Sequence, residues 1–81
     1  EAVRLDPTNA RARHNLGNAL LDNGDVDAAI AEYREAIRLD PRFAKAHFSL
    51  GLALRRTKDI DGAVAAYREA RRMLSPGGTF L

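Results

Sequence analysis

The chain has 81 residues, 46% hydrophobic and 30% charged, with a net charge of +2. That balance suits one small soluble globular domain and excludes a disordered segment. The absence of cysteine excludes disulfides and thiol chemistry, and no apolar run is long enough to cross a membrane. The charge is uneven: residues 1–41 hold five basic and eight acidic side chains, and residues 42–81 hold eight and three. The halves are therefore −3 and +5, which favours head-to-tail self-association or attraction of an acidic partner to the second half. No signal peptide opens the chain. Glu1 falls partway through a repeat, so the chain reads as a segment excised from something longer, and the cytoplasm is the expected compartment.

Residues 1–7, EAVRLDP, nearly duplicate residues 35–41, EAIRLDP. Pro7 and Pro41 are 34 residues apart, as are Gly17 and Gly51. Self-similarity of this period marks a repeat array. Residues 1–6 read as the end of a preceding helix, closed by Pro7, because the residue before a proline avoids the α region. Thr8 and Asn9 offer an N-cap. The spacing predicts a helix over about 9–23. Ala12, Leu16, Ala19, Leu20 and Asn23 share one nearly apolar side, and Arg11, Asn15, Asn18 and Asp22 share a polar one. Gly24 suits the left-handed residue that ends a helix. Asp25 is placed to cap a second helix over about 26–39, with Asp27 in its first turn. The apolar stripe of that helix is Val26, Ala29, Ile30, Tyr33, Ala36, Ile37 and Leu39. Asp40-Pro41 closes the unit and opens the next, with proline suited to the first helical turn.

The second unit repeats the pattern. A helix over about 42–56 turns Ala46, Leu50, Ala53 and Leu54 inward. After Thr57-Lys58-Asp59, a helix over about 60–74 turns Ala63, Val64, Tyr67, Ala70 and Leu74 inward. Lys58 stands where the first unit has Gly24, at a cost of about 1 kcal/mol if the backbone there is left-handed. Gly62 weakens the last helix by roughly as much relative to alanine. Ser75-Pro76-Gly77-Gly78 is a stop signal, and residues 76–81 form a tail. The expected fold is all-α, built of antiparallel helix-turn-helix repeats: residues 1–7 from an earlier unit, then units 8–41 and 42–75.

These residues resemble the tetratricopeptide repeat, a helix-turn-helix unit of 34 residues. The family pattern falls on Leu16, Gly17, Leu20, Ala29, Tyr33, Ala36 and Pro41, and again on Leu50, Gly51, Leu54, Ala63, Tyr67 and Ala70. Ser75 takes the place of the second proline, and Arg13 and His47 replace the aromatic common near the start of a unit. Gly17 and Gly51 stand where the two helices of a unit cross, met by the small Ala29 and Ala63. Tyr33 and Tyr67 supply the volume between units, with their hydroxyls toward the edge. The resemblance implies a short right-handed α-solenoid whose first helices line a concave groove for a peptide or a partner's helix. Its groove positions are Arg11, His14, Asn15, Asn18 and Asp22, then Lys45, Phe48, Ser49, Leu52, Arg55 and Arg56.

Three uses of that groove follow. NLGNAL at residues 15–20 resembles the repeats of the O-linked N-acetylglucosamine transferase, in which an asparagine ladder grips a peptide backbone. Asn15 holds the ladder position, and an amide matches a peptide group as donor and acceptor; Ser49 replaces the second rung. Asn18 and Lys45 also suit a carboxylate clamp, from which His14 and Ser49 depart. Phe48 and Leu52, four residues apart, suit an apolar anchor with Arg55 and Arg56 attracting acid beside it. A protein-interaction module is the leading expectation, with a self-assembling scaffold or a targeting segment of a larger enzyme as alternatives.

Catalysis and cofactors are not expected. His14 and His47 occupy different repeat positions, and no further histidine or cysteine completes a metal site. Asp25, Asp27, Asp59 and Asp61 read as caps and first-turn charges rather than acid–base pairs. Arg68, Arg71 and Arg72 lack the interleaved aromatics of a nucleic-acid surface, so neither nucleic acid nor membrane is an expected partner. Two units with a helical stub are few for a repeat array, so the last helix is expected to seek residues 1–6 of another chain.

Overall fold

Two helix pairs account for the residues that the computed structural model describes, 7–74. Helix α1 spans Pro7–Asp22, α2 Val26–Leu39, α3 Ala44–Arg56 and α4 Ile60–Leu74. What was expected of residues 1–6 and 75–81 lies outside the described residues. Helix α1 packs on α2, α3 on α4, and α2 on α3, with α1 also touching α3. The fold is therefore an all-α stack of helix hairpins.

Each hairpin is drawn together by a tyrosine lying on a glycine. A Cβ on Gly17 would stand 2.6 Å from Cε1 of Tyr33, and one on Gly51 would stand 2.6 Å from Cε1 of Tyr67. Real Cβ atoms do not approach a ring so closely, so only glycine admits this helix spacing. The nearest neighbour of each glycine is thus the tyrosine ring. Tyr33 is fully buried and contributes to the core with Ala29 and Ala53, against which Leu20, Leu21, Val26, Ile30 and Leu50 pack. The abundant alanines let the helices approach: Ala10, Ala36 and Ala46 are also fully buried.

Burial corrects several expectations. On α1 the inward residues are Ala10, His14 and Gly17, whereas Ala12, Leu16 and Ala19 are exposed. The equivalent face of α3 is covered by α2, and no described helix holds that place on α1. On α4 the buried residues are Ala63, Ala66 and Ala70, while Val64 and Leu74 are exposed. Helix α1 already includes Thr8 and Asn9, so they belong to its first turn rather than capping it. Pro41 lies in a turn that the Arg42 amide closes by donating to Asp40 Oδ1 at 3.2 Å. Helix α3 starts after Phe43, two residues later than the spacing suggested.

The two turns inside the hairpins share one hydrogen-bond pattern. The Gly24 amide donates to Leu21 O at 3.0 Å and the Asp25 amide to Leu20 O at 2.8 Å. One unit on, the Lys58 amide donates to Arg55 O and the Asp59 amide to Leu54 O, both at 3.0 Å. This paired closure needs a left-handed residue just past the helix. Gly24 adopts φ +88° and Lys58 is forced to φ +69°. The caps differ. Asp25 makes no capping bond and instead accepts from Asn23 Nδ2 at 3.1 Å, whereas Asp59 Oδ1 accepts from the Gly62 amide at 3.0 Å. Gly62 leaves room for that carboxylate, since a Cβ there would stand 2.5 Å from Asp59 Oδ2.

Lys58→Gly removes the left-handed strain and should stabilise the chain by about 0.5–1 kcal/mol, whereas Gly24→Ala should cost about 1 kcal/mol. Urea denaturation of the two variants beside the parent chain checks both signs.

Candidate functional site

Helices α1 and α3 carry parallel stripes set by helical spacing. On α1 the stripe runs Arg11, Asn15, Asn18, Asp22; on α3 it runs Lys45, Phe48, Leu52, Arg55, with Ser49 and Arg56 alongside. Eight of the expected groove residues are exposed: Arg11, Asn15, Asp22, Lys45, Phe48, Leu52, Arg55 and Arg56. Phe48 is 52% exposed and Leu52 37%, which leaves an apolar strip between Lys45 at one end and Arg55 and Arg56 at the other. Among the described residues, ion pairs join Arg13 to Glu32, Arg38 to Glu35 and Arg72 to Glu69. No stripe cation takes part in them, so those charges are available to an outside group. Arg56 also reaches across the stack, Nη1 donating to Leu21 O at 3.4 Å.

Three expected groove residues bond within the structure: His14 is buried, and Asn18 and Ser49 are half-buried. His14 is buried, with Nε2 2.8 Å from Ser49 Oγ, and its ring meets Tyr33 at 5.6 Å and Phe43 at 5.1 Å. Ser49 is thereby committed to His14. Asn18 Oδ1 accepts the Tyr33 hydroxyl at 2.6 Å, so this hydroxyl is satisfied within its own hairpin rather than at an edge. Burial raises the Tyr33 pKa, opposed in part by a hydrogen bond with Ser49. The four side chains link α1, α2 and α3 in one polar cluster, and no buried side-chain polar atom lacks a partner among the described residues.

His47, although buried, is equally structural, with Nε2 3.0 Å from Pro41 O. Among the described residues no group of three or more His, Asp or Glu side chains converges to hold a metal, and no helix is long and apolar enough to cross a membrane.

Helix hairpins repeated every 34 residues and stacked on one another define a helical-repeat protein. The tetratricopeptide repeat model matches residues 1–42 and, in an overlapping match, residues 14–77, and the chain belongs to that family. Its members serve in general as protein-interaction modules. The chain matches no curated protein.

The His14 contact makes stability depend on pH. Burial, with help from the Lys45 charge, lowers the His14 pKa below its ordinary value of 6.5. The unfolded chain therefore binds the proton first. The contribution is fully present above pH 6.5 and is lost as pH falls through 6.5 to the lower folded-state value. Thermal melts from pH 7.5 to pH 5 should show a steeper loss for the parent chain than for His14→Gln. Parallel curves would remove His14 as the cause.

Proposed function

We propose that the α1–α3 face binds an extended peptide that carries an apolar side chain beside acidic ones, and that the chain acts as a binding module without catalysis. The observation that carries this reading is the exposed pair Phe48 and Leu52 flanked by Lys45 and Arg55, which take part in none of the ion pairs, with Arg56 beside them. An apolar side chain seated on that pair leaves water, while flanking carboxylates meet cations that no internal carboxylate neutralises. Asn15 faces the same side and offers an amide to the peptide backbone. A single asparagine makes no ladder, because Ser49 is held by His14. For the carboxylate-clamp alternative, the Tyr33 hydroxyl occupies only Asn18 Oδ1 and leaves the Nδ2 donor, but His14 and Ser49 depart from the pattern and are bonded to each other.

A peptide array read with the parent chain, Leu52→Ala and Asn15→Ala tests the assignment. Acidic peptides with one large apolar residue should be retained preferentially. Leu52→Ala should weaken their binding about tenfold, or about 1.4 kcal/mol, and Asn15→Ala should weaken it severalfold without changing which peptides are chosen. Unchanged binding in both variants contradicts the groove.

A further inference from the structure

Asparagine is followed by glycine at a single place in the chain, Asn23-Gly24, whereas Asn9, Asn15 and Asn18 precede alanine or leucine. The pair stands in the turn between α1 and α2, and both residues are exposed. Gly24 is left-handed at φ +88°, and no atom beyond its chain neighbours lies within 4 Å of where a Cβ would stand. The turn between α3 and α4 has the same backbone closure but reads Thr57-Lys58. The molecule thus builds one turn twice, and only the first sets a carboxamide beside an unhindered backbone nitrogen.

We propose that Asn23 is a site of spontaneous covalent modification and that the closed turn holds the reaction back. The Gly24 nitrogen, on giving its proton to solvent, attacks the Asn23 side-chain carbon Cγ. The new N–Cγ bond closes a succinimide ring, and the Cγ–Nδ2 bond breaks. Nδ2 takes a proton from solvent and leaves as ammonia. Water then opens the ring at either carbonyl, giving aspartate or isoaspartate. The net change consumes one water, releases one ammonia and involves no oxidation or reduction. A side chain on the residue after asparagine obstructs the attack, so glycine at 24 is what makes this carboxamide reactive.

Two hydrogen bonds of the closed turn oppose the first step. The Gly24 amide donates to Leu21 O at 3.0 Å, which engages the nitrogen that must attack. Asn23 Nδ2 donates to Asp25 Oδ2 at 3.1 Å, which ties the carboxamide to Asp25. Residues 23–25 are all exposed, so no buried side chain of the turn resists its opening, and the reaction proceeds through that local opening.

The two products act differently. Both lower the net charge of +2 by one. Aspartate keeps the backbone intact and replaces the donor facing Asp25 by a second carboxylate. Isoaspartate carries the main chain through the former side chain and so adds a methylene. That methylene falls inside the closure in which the Asp25 amide donates to Leu20 O at 2.8 Å. Isoaspartate therefore loosens the first hairpin and leaves the second intact. Asn23 is not a groove residue, so the inference is independent of peptide binding.

Peptide mapping by mass spectrometry during incubation at mildly alkaline pH, in buffer and in denaturing urea, tests it. In urea, aspartate and isoaspartate should accumulate at position 23 while Asn9, Asn15 and Asn18 remain amides. The folded chain should convert about tenfold more slowly or less, equivalent to a turn-opening free energy of about 1.4 kcal/mol or more. Gly24→Ala in urea should convert far more slowly than the parent chain in urea. Asn23→Asp carries the new charge on an unaltered backbone, so the separated isoaspartate form should melt below that variant. An Asn23 that stays amide in urea overturns the site, as does acid appearing first at another asparagine. Equal rates in buffer and urea overturn the protection by the turn, and equal melting of isoaspartate form and variant overturns the loosening of the hairpin.

Discussion

The fold rests on a ring pressed against a residue without a side chain. Tyr33 on Gly17 sets how closely α1 and α2 approach, and Tyr67 on Gly51 sets the same spacing for α3 and α4. Any larger residue at the glycine forces the ring outward, and an interior packed near crystal density has little room to receive it. The buried alanines carry the same economy of volume into the contacts between helices. Once two helices are locked at that spacing, their orientation decides which residues face the next hairpin and which face solvent. The stacking surface and the exposed stripe are thus two consequences of one contact.

The hairpins are joined by alanines and by a polar contact. His14 of one unit and Ser49 of the next meet at 2.8 Å, beside the Tyr33–Asn18 bond. Buried polar groups left unsatisfied cost about 1–3 kcal/mol each, so this cluster penalises a shift of one hairpin along the other. It also engages three of the expected groove side chains and leaves Leu52, Phe48, Lys45 and Arg55 as the groove's distinguishing features. The charge of the exposed stripe therefore belongs mainly to α3, with Arg11 and Asp22 of opposite sign on α1.

The period, the glycines and the tyrosines were legible because each reflects a constraint inside one hairpin. Gly24 was readable as a left-handed residue, and Lys58 as its strained counterpart, because the turn pattern is local. Burial was less legible where it depends on a neighbour. Ala12, Leu16 and Ala19 have the composition of a core face, but burial needs a helix on the other side, and none of the described helices lies there. His14 is the converse case: a polar residue at a position that resembles a groove site is enclosed by Phe43 and Ser49 of the following unit. The caps also differ locally: Asp25 accepts from Asn23 and makes no capping bond, whereas Asp59 accepts from the Gly62 amide.

A double-mutant cycle between Gly17→Ala and Tyr33→Leu measures the constraint most directly. In the parent chain the added methyl meets the tyrosine ring and should cost about 1–3 kcal/mol. Once the ring is trimmed to leucine, the same methyl should cost far less, giving a coupling of about 1 kcal/mol or more in equilibrium denaturation. Effects that add within about 0.5 kcal/mol would contradict the view that the ring on the glycine sets the spacing of the hairpin.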